Sequence, residues 1–399
     1  MIRYLGKTAA KNLRGTALLR LDFNTEDEWR MEAALPTVRF LLKRSSKLVI
    51  FSHRGRPSFI KISKGKPKGF DKKLSLRKDA VNLQKMLGRK VIFLPDFNFP
   101  KIKRIINDSE KGSIFVLENL RFLRGEEENS TKLAKQLASL AGDFHPHTKR
   151  EAVLHAKNKK TSRYGVGVYV NDAFAVSHRK NASVSAITKF LPSFAGLELE
   201  REIKLLSRVT AKPKKPLVIV LGGAKAHDKL GVLKHFRKKA DWFLLGGAAA
   251  NTLLSLKGID VKDSLVDKEK SNLKNLRRVI GYRNVLLPVD VKFGNEKILD
   301  IGEMTSSIFS GKLRKAGTVI WSGPMGVFEK KEFSSGTLAV ARAIAGNKKV
   351  FSVAGGGETV MFLKKYKLDK KFSFISTGGG AMLDFLADEK LPGIEALKK

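Results

Sequence analysis

The chain has no cysteine among its 399 residues, so neither a disulfide nor a thiolate metal site is open to it. It has no stretch near the roughly 18 uncharged apolar residues that a membrane-spanning helix needs. The opening segment, MIRYLGKTAAKNL, lacks the apolar core of a signal peptide, and a cytoplasmic location is expected. No apolar run leads into GxGxxG, which removes an ordinary dinucleotide oxidoreductase, and there is no GxxxxGKS/T phosphate loop. Zinc-finger spacing, an RNP motif and a basic leucine zipper are missing too. Acidic residues are scarce: 38 Asp and Glu face 78 Lys and Arg, for a net charge of +40. That balance suits nucleic acid, an anionic surface or phosphorylated substrates. The basic residues are spread along the whole chain, however, which equally describes a generally basic, solvated exterior.

What is present is a rhythm of short apolar runs. Residues 17–21, 47–51, 90–94, 113–117 and 167–170 form one series; 216–221, 241–245, 284–289, 317–321, 349–353 and 372–375 form another. They do not alternate with polar residues, and helical patterns such as DKLGVLKHFRKKA separate them. Continuous apolar strands between helices predict parallel sheets covered on both faces, hence two α/β domains of similar size. The linker is expected within 190–209, where Pro192 and Gly196 precede a long helical pattern.

In such sheets ligands bind beyond the carboxyl ends of the strands. In the first half those ends read RLDFN (20–24), SHRGRP (52–57), ENLRF (118–122) and NDAFAVSHR (171–179). In the second they read GGAKAHDK, GG (246–247), SGPMG (322–326), GGGET (355–359) and TGGG (377–380). Arginine forks suit phosphate and carboxylate groups, while glycines let backbone N–H groups approach a nucleotide. Lys225 and Lys229, four residues apart behind Gly222 and Gly223, are predicted to share one face of a helix start, where anions are favoured. Two unlike sites of this kind describe a kinase better than a dehydrogenase.

Eleven stretches, in order, resemble phosphoglycerate kinases over nearly the full length: RLDFN, AALPT, SHRGRP, ENLRF, VNDAF…HR, LGGAK…DKLG, PVD, GPMGVFE, GGGET, ISTGGGA and LPG. The resemblance implies two Rossmann-like, doubly wound parallel-sheet domains joined by a long helix, with a central cleft. Residues 1–190 would bind phosphoglycerate and 191–381 the nucleotide, with 382–399 packing back on the first domain. It implies reversible phosphoryl transfer between 1,3-bisphosphoglycerate and Mg-ADP, giving 3-phosphoglycerate and Mg-ATP, by a monomer.

Carried over residue by residue, Asp22, Phe23, Asn24, Arg30, His53, Arg54, Gly55, Arg56, Arg121 and Arg179 would hold the phosphoglycerate end. Arg30 and Lys225 match the catalytic pair. Lys225, Lys229, Gly246, Glu329, Gly355, Gly356, Gly357, Glu358 and Thr359 match the nucleotide side, and Glu358 would lie beside Mg²⁺. A phosphoryl in flight needs alignment and charge stabilisation more than covalent help, which suits such a set. Asp290, after LLPV, reads as a sheet-end hydrogen-bonder.

The chain departs from the family pattern in four places. Ser322 replaces an asparagine before GPMG, and Glu358 replaces the usual aspartate. The connections after DFN and PVD are short. An insertion spans about Gly142–Gly167, with six Lys/Arg against Asp143 and Glu151, and His145, His147 and His155. It reads as a solvated basic loop, or else a polyanion or partner contact. The competing function is a kinase-like scaffold acting mainly as a basic nucleic-acid-binding protein; weak, non-specific polyanion binding is expected in either case.

Overall fold

The computed structural model describes residues 1–8, 13, 15–25, 27–57, 61–63, 66–68, 71–142 and 167–398. The predicted insertion, with its three histidines, lies outside the described residues except for Gly142 and Gly167. The chain divides into two compact units, Met1–Glu202 with Lys390–Lys399, and Ile203–Glu389.

The first unit is built on a six-stranded parallel sheet: β1 (Thr16–Arg20), β2 (Lys47–Phe51), β5 (Val91–Leu94), β6 (Ile114–Leu117), β7 (Val168–Asn171) and β8 (Ser193–Ala195). The order is β5-β6-β2-β1-β7-β8, with Leu18 opposite Val49 and Tyr169. A small hairpin, β3 (Lys61–Ser63) with β4 (Lys66–Lys68), stands outside it. Leu19, Leu21, Ile50 and Val170 pack on Met31, Ala34 and Val38 of the helix Trp29–Leu42. The C-terminal segment joins this unit: Ile2 bridges Lys398, and Gly393 N donates to the Ser177 carbonyl at 2.8 Å.

The second unit repeats the plan with β9 (Leu217–Leu221), β10 (Trp242–Leu245), β11 (Val285–Leu286), β14 (Thr318–Ser322), β15 (Phe351–Gly355) and β16 (Phe374–Ser376). The order is β11-β10-β9-β14-β15-β16, all parallel. All five residues of β9 and of β14 are buried, as a sheet covered on both faces demands. The hairpin β12 (Val291–Gly294) with β13 (Lys297–Ile301) was not expected from the sequence. Asp290 accepts bonds from Met304 N (2.9 Å) and Thr305 N (2.7 Å), capping the helix Glu303–Arg314.

Candidate active site

At the carboxyl end of the first sheet, β1 delivers Arg20 and Asp22 side by side. Arg20 is fully buried, which is costly for a cation unless its donors are satisfied. Its Nε donates to Ser183 Oγ at 2.9 Å, Nη1 to the Leu21 carbonyl, and Nη2 to His53 Nδ1 at 3.1 Å. Because guanidinium only donates, His53 Nδ1 must accept, which leaves the ring proton on Nε2. Buried Glu126 stands behind this chain, taking bonds from Ser183 Oγ (2.6 Å), Ser183 N (2.9 Å) and Asn181 Nδ2 (3.3 Å).

Asp22 completes the patch. Its carboxylate accepts from Arg30 Nη1 at 2.7 Å and from Asn24 N at 3.0 Å, and lies 3.7 Å from His53. Burial pushes its pKa up, but Arg30, His53, the Asn24 amide and Arg20 outweigh burial, and it stays ionised below the ordinary range. Burial drives His53 well below its ordinary value; Asp22 opposes this, while Arg20, Arg121 and Arg179 reinforce it, so the ring is neutral. Burial also lowers Arg121 to about 10, with Arg179 and Arg20 adding repulsion. Arg20, Arg30, Arg121 and Arg179 together outnumber the acids Asp22, Glu126 and Glu127 beside them, Glu127 lying 3.5 Å from Arg121 Nε, and so form a basin of positive potential. Within it, Arg30 Nε is a buried donor without a hydrogen-bond partner. A donor placed in this way can give a hydrogen bond to an oxygen of a bound anion.

The remaining predicted residues of this half sit around the patch differently. Phe23 is buried beneath it and Asn24 is exposed, its Oδ1 accepting from Gly55 N at 2.7 Å. Arg56 is exposed and Arg179 half-buried, with Arg179 Nε 3.3 Å from His178 Nε2. Arg121 Nη1 holds the Gly55 carbonyl at 2.5 Å. Arg54 turns aside instead: it pairs with Asp79 and donates to the Thr25 carbonyl at 2.9 Å, lining a separate recess of about 310 Å³.

On the second unit, a pocket of about 290 Å³ opens where β9, β14 and β15 end. Lys225, Lys229, Gly356, Gly357, Glu358 and Thr359 all line it. Backbone crowding makes it: Gly222 N bonds to Ser322 O (2.9 Å) and Gly223 N to Pro324 O (2.8 Å). Gly323 has φ +90°, and a Cβ there would lie 2.2 Å from the Gly222 carbonyl, so no other residue fits. Gly323 N donates to the buried Thr359 Oγ1 at 2.8 Å, which pins the loop to the helix Gly357–Lys365.

The two lysines do not share a helix face as expected. The helix proper starts only at Leu230, after a 3₁₀ turn His227–Lys229. Lys225 is therefore in the loop and exposed, whereas Lys229 is buried. Burial lowers the Lys229 pKa, and Lys225 adds to this, against the pull of Asp228 and Glu358. Gly246, Glu329 and Gly355 do not line this pocket: Gly246 sits against Met325, Glu329 is exposed on the following loop, and Gly355 ends β15 against Met382. Asp228, Gly379 and Gly380 do line it and were not singled out, although TGGG at a strand end carried the signal. Arg20, the anchor of the other half, was missed as well.

Two six-stranded parallel sheets, one ending in guanidinium groups and the other in glycine backbone and lysines, are the architecture of a two-unit α/β phosphotransferase. The family model described as phosphoglycerate kinase matches residues 12–145 and 144–389. The phosphoglycerate kinase of Dictyoglomus turgidum is 34% identical over 97% of each chain, and that of Pseudothermotoga lettingae 38% identical over 95% of each. Among solved structures, phosphoglycerate kinase from Pyrococcus horikoshii superposes with a TM-score of 0.77 at 30% identity, covering 100% of this chain and 98% of its own. The Coxiella burnetii enzyme gives 0.75 at 30% identity, covering 100% and 99%. The chain belongs to the phosphoglycerate kinase family. None of these matches supports the nucleic-acid-binding alternative. Among the described residues no helix is long and apolar enough to cross a membrane.

Proposed function

We propose that the chain moves a phosphoryl group reversibly between the carboxyl of 3-phosphoglycerate and the terminal phosphate of ADP, using the residues described above. The observation that carries this assignment is the unsatisfied Arg30 Nε, held beside Asp22 in a basin that Arg20, Arg121 and Arg179 make positive. Such a basin suits a phosphorylated carboxylic acid. His53, neutral with its proton on Nε2, donates a hydrogen bond there without adding charge. Arg121 and Arg179 supply the charge for the 3-phosphate, with Arg56 at the rim. Arg54 contributes by bracing the loop that carries Gly55 and Arg56. Arg30, fixed by Asp22, stabilises the charge that builds on the transferring group.

On the nucleotide side, Lys225 is free to follow the transferring phosphoryl, while Lys229 holds phosphates that do not react. Gly355, Gly356 and Gly357 offer backbone to the phosphates, Gly246 a flat wall, and Glu329 a carboxylate for the ribose. Glu358 forms no ion pair among the described residues, and its oxygen donors fit a hard cation. With nucleotide phosphates supplying the other ligands, Glu358 would hold Mg²⁺, which neutralises phosphate charge when bound. A monomeric cytoplasmic enzyme that also binds polyanions weakly completes the reading. Steady-state turnover of purified protein with 3-phosphoglycerate and Mg-ATP, by coupled assay, tests it. Saturable turnover requiring both substrates supports it, and no turnover at low salt rejects it.

A further inference from the structure

We infer that the second unit carries a separate site for a small polyvalent phosphate anion, at the end of its sheet opposite the nucleotide pocket. A recess of about 290 Å³ opens there, lined by Arg208, Lys212, Lys214 and Lys349, with Thr318 and Phe351 among its walls. No carboxylate lines it, and none of the four cations forms an ion pair among the described residues. By contrast Lys215, next to Lys214, is 3.0 Å from Asp241. Four like charges around one concavity repel one another, and a polyanion is the ligand that turns this repulsion into attraction.

The cations are set on braced backbone. Thr318, 1% exposed, donates from Oγ1 to the Lys214 carbonyl at 2.8 Å. Gly317 makes that approach possible, since a Cβ there would fall 2.4 Å from the Lys215 carbonyl. Asn347 accepts from Lys349 N at 3.1 Å while its amide donates to the Leu313 and Ala316 carbonyls, fixing the turn that carries Lys349. Arg208 lies 4.9 Å over the Phe351 ring, which orients its fork. The end of the helix Leu197–Ala211 accounts for basic residues at Arg208 and Lys212 through its carbonyl dipole. It does not account for Lys214 and Lys349, which arrive on other segments. β9, β14 and β15 begin at this recess and end at the nucleotide pocket. A five-residue strand spans roughly 17 Å, so the two sites are distinct. The size fits a di- or triphosphate, and the concavity favours a small anion over a long strand lying flat.

The test titrates the full chain with inorganic tripolyphosphate by calorimetry at low salt. Four proteins are compared: the parent, Arg208→Gln/Lys349→Gln, Lys225→Gln/Lys229→Gln, and a charge-matched control, Lys132→Gln/Lys135→Gln, on exposed positions of the other unit. The parent is expected to show three classes of site: this recess, the nucleotide pocket and the arginine basin of the first unit. The recess variant should lose one of them, its Kd rising on the order of tenfold or more, while its kinase turnover is unchanged. The Lys225/Lys229 variant should lose the nucleotide-pocket class and keep this one, and the control should stay within about twofold of the parent. A recess variant that binds like the parent overturns the inference. So does a control that weakens as much as the recess variant, because binding would then follow net charge alone. Turnover measured on the same samples keeps this outcome separate from the assignment of the kinase activity.

Discussion

Arg20 sets the chemistry of the proposed phosphoglycerate side without being exposed to it. Its bond to His53 fixes the ring tautomer, and its charge helps keep Asp22 ionised and His53 neutral. Asp22 in turn aims Arg30. In its proposed role the Arg30 charge matters most as charge develops in transfer, so Arg30→Ala should lower kcat on the order of 10²-fold or more. Mg-ADP affinity should hardly change, since Arg30 and the nucleotide pocket belong to different units; kcat within a few-fold of the parent would remove Arg30 from the transfer step. Lys229 is predicted to behave in the opposite way. Its proposed role, holding unreactive phosphates, stabilises ground and transition states alike, so Lys229→Ala should raise the Mg-ADP Kd by calorimetry. An unchanged Kd would return this buried lysine to a structural role. Arg20 was illegible in the sequence because an arginine inside a strand reads as a solvent-facing residue. Its burial depends on Ser183, 163 positions away, and on Glu126 behind that.

At the scale of elements, the parallel strands were legible because burial on both faces leaves continuous apolar runs, as in LVIVL of β9. β8 was hidden, being only the three residues Ser193–Ala195 within the expected linker, and the hairpin β12–β13 alternates too briefly and carries too many charges. Which glycine loops would close into one pocket was also beyond reach: that depends on Thr359 reaching Gly323 across the fold. The helix Leu197–Ala211, in which the division between the units falls, rests on another such contact. Asp172 Oδ1 accepts from Leu199 N at 2.9 Å, while Asp172 Oδ2 and Glu198 Oε1 are buried without hydrogen-bond partners. Burial raises Asp172 to about 7; Glu198 adds to this, and the bonds from Thr37 and Leu199 oppose it. Between about pH 4 and 7 the folded chain therefore holds a proton that the unfolded chain has released. This group's contribution to stability falls as pH rises through that window. Asp172→Asn removes the titration. The stability difference, variant minus parent, should grow from pH 5 to about pH 7 by up to ~1.4 kcal/mol per pH unit in denaturant titrations and level off above that. A difference flat with pH would show that Asp172 is ionised throughout.

For the whole molecule the dominant quantity is the charge of +40. Both proposed substrates are polyvalent anions, so screening should weaken their capture: KM should rise with ionic strength as the Debye length shrinks to about 8 Å near 0.15 M salt. Steady-state KM at several salt concentrations checks this, and a salt-independent KM would mean that only contact charges matter. The central claim is that the acceptor is a carboxyl group and the product an acyl phosphate. Hydroxylamine traps an acyl phosphate as a hydroxamate, so the most direct measurement is hydroxamate formed from 3-phosphoglycerate and Mg-ATP with the purified chain. The account predicts hydroxamate in step with ADP, requiring both substrates. ADP released without hydroxamate would contradict it.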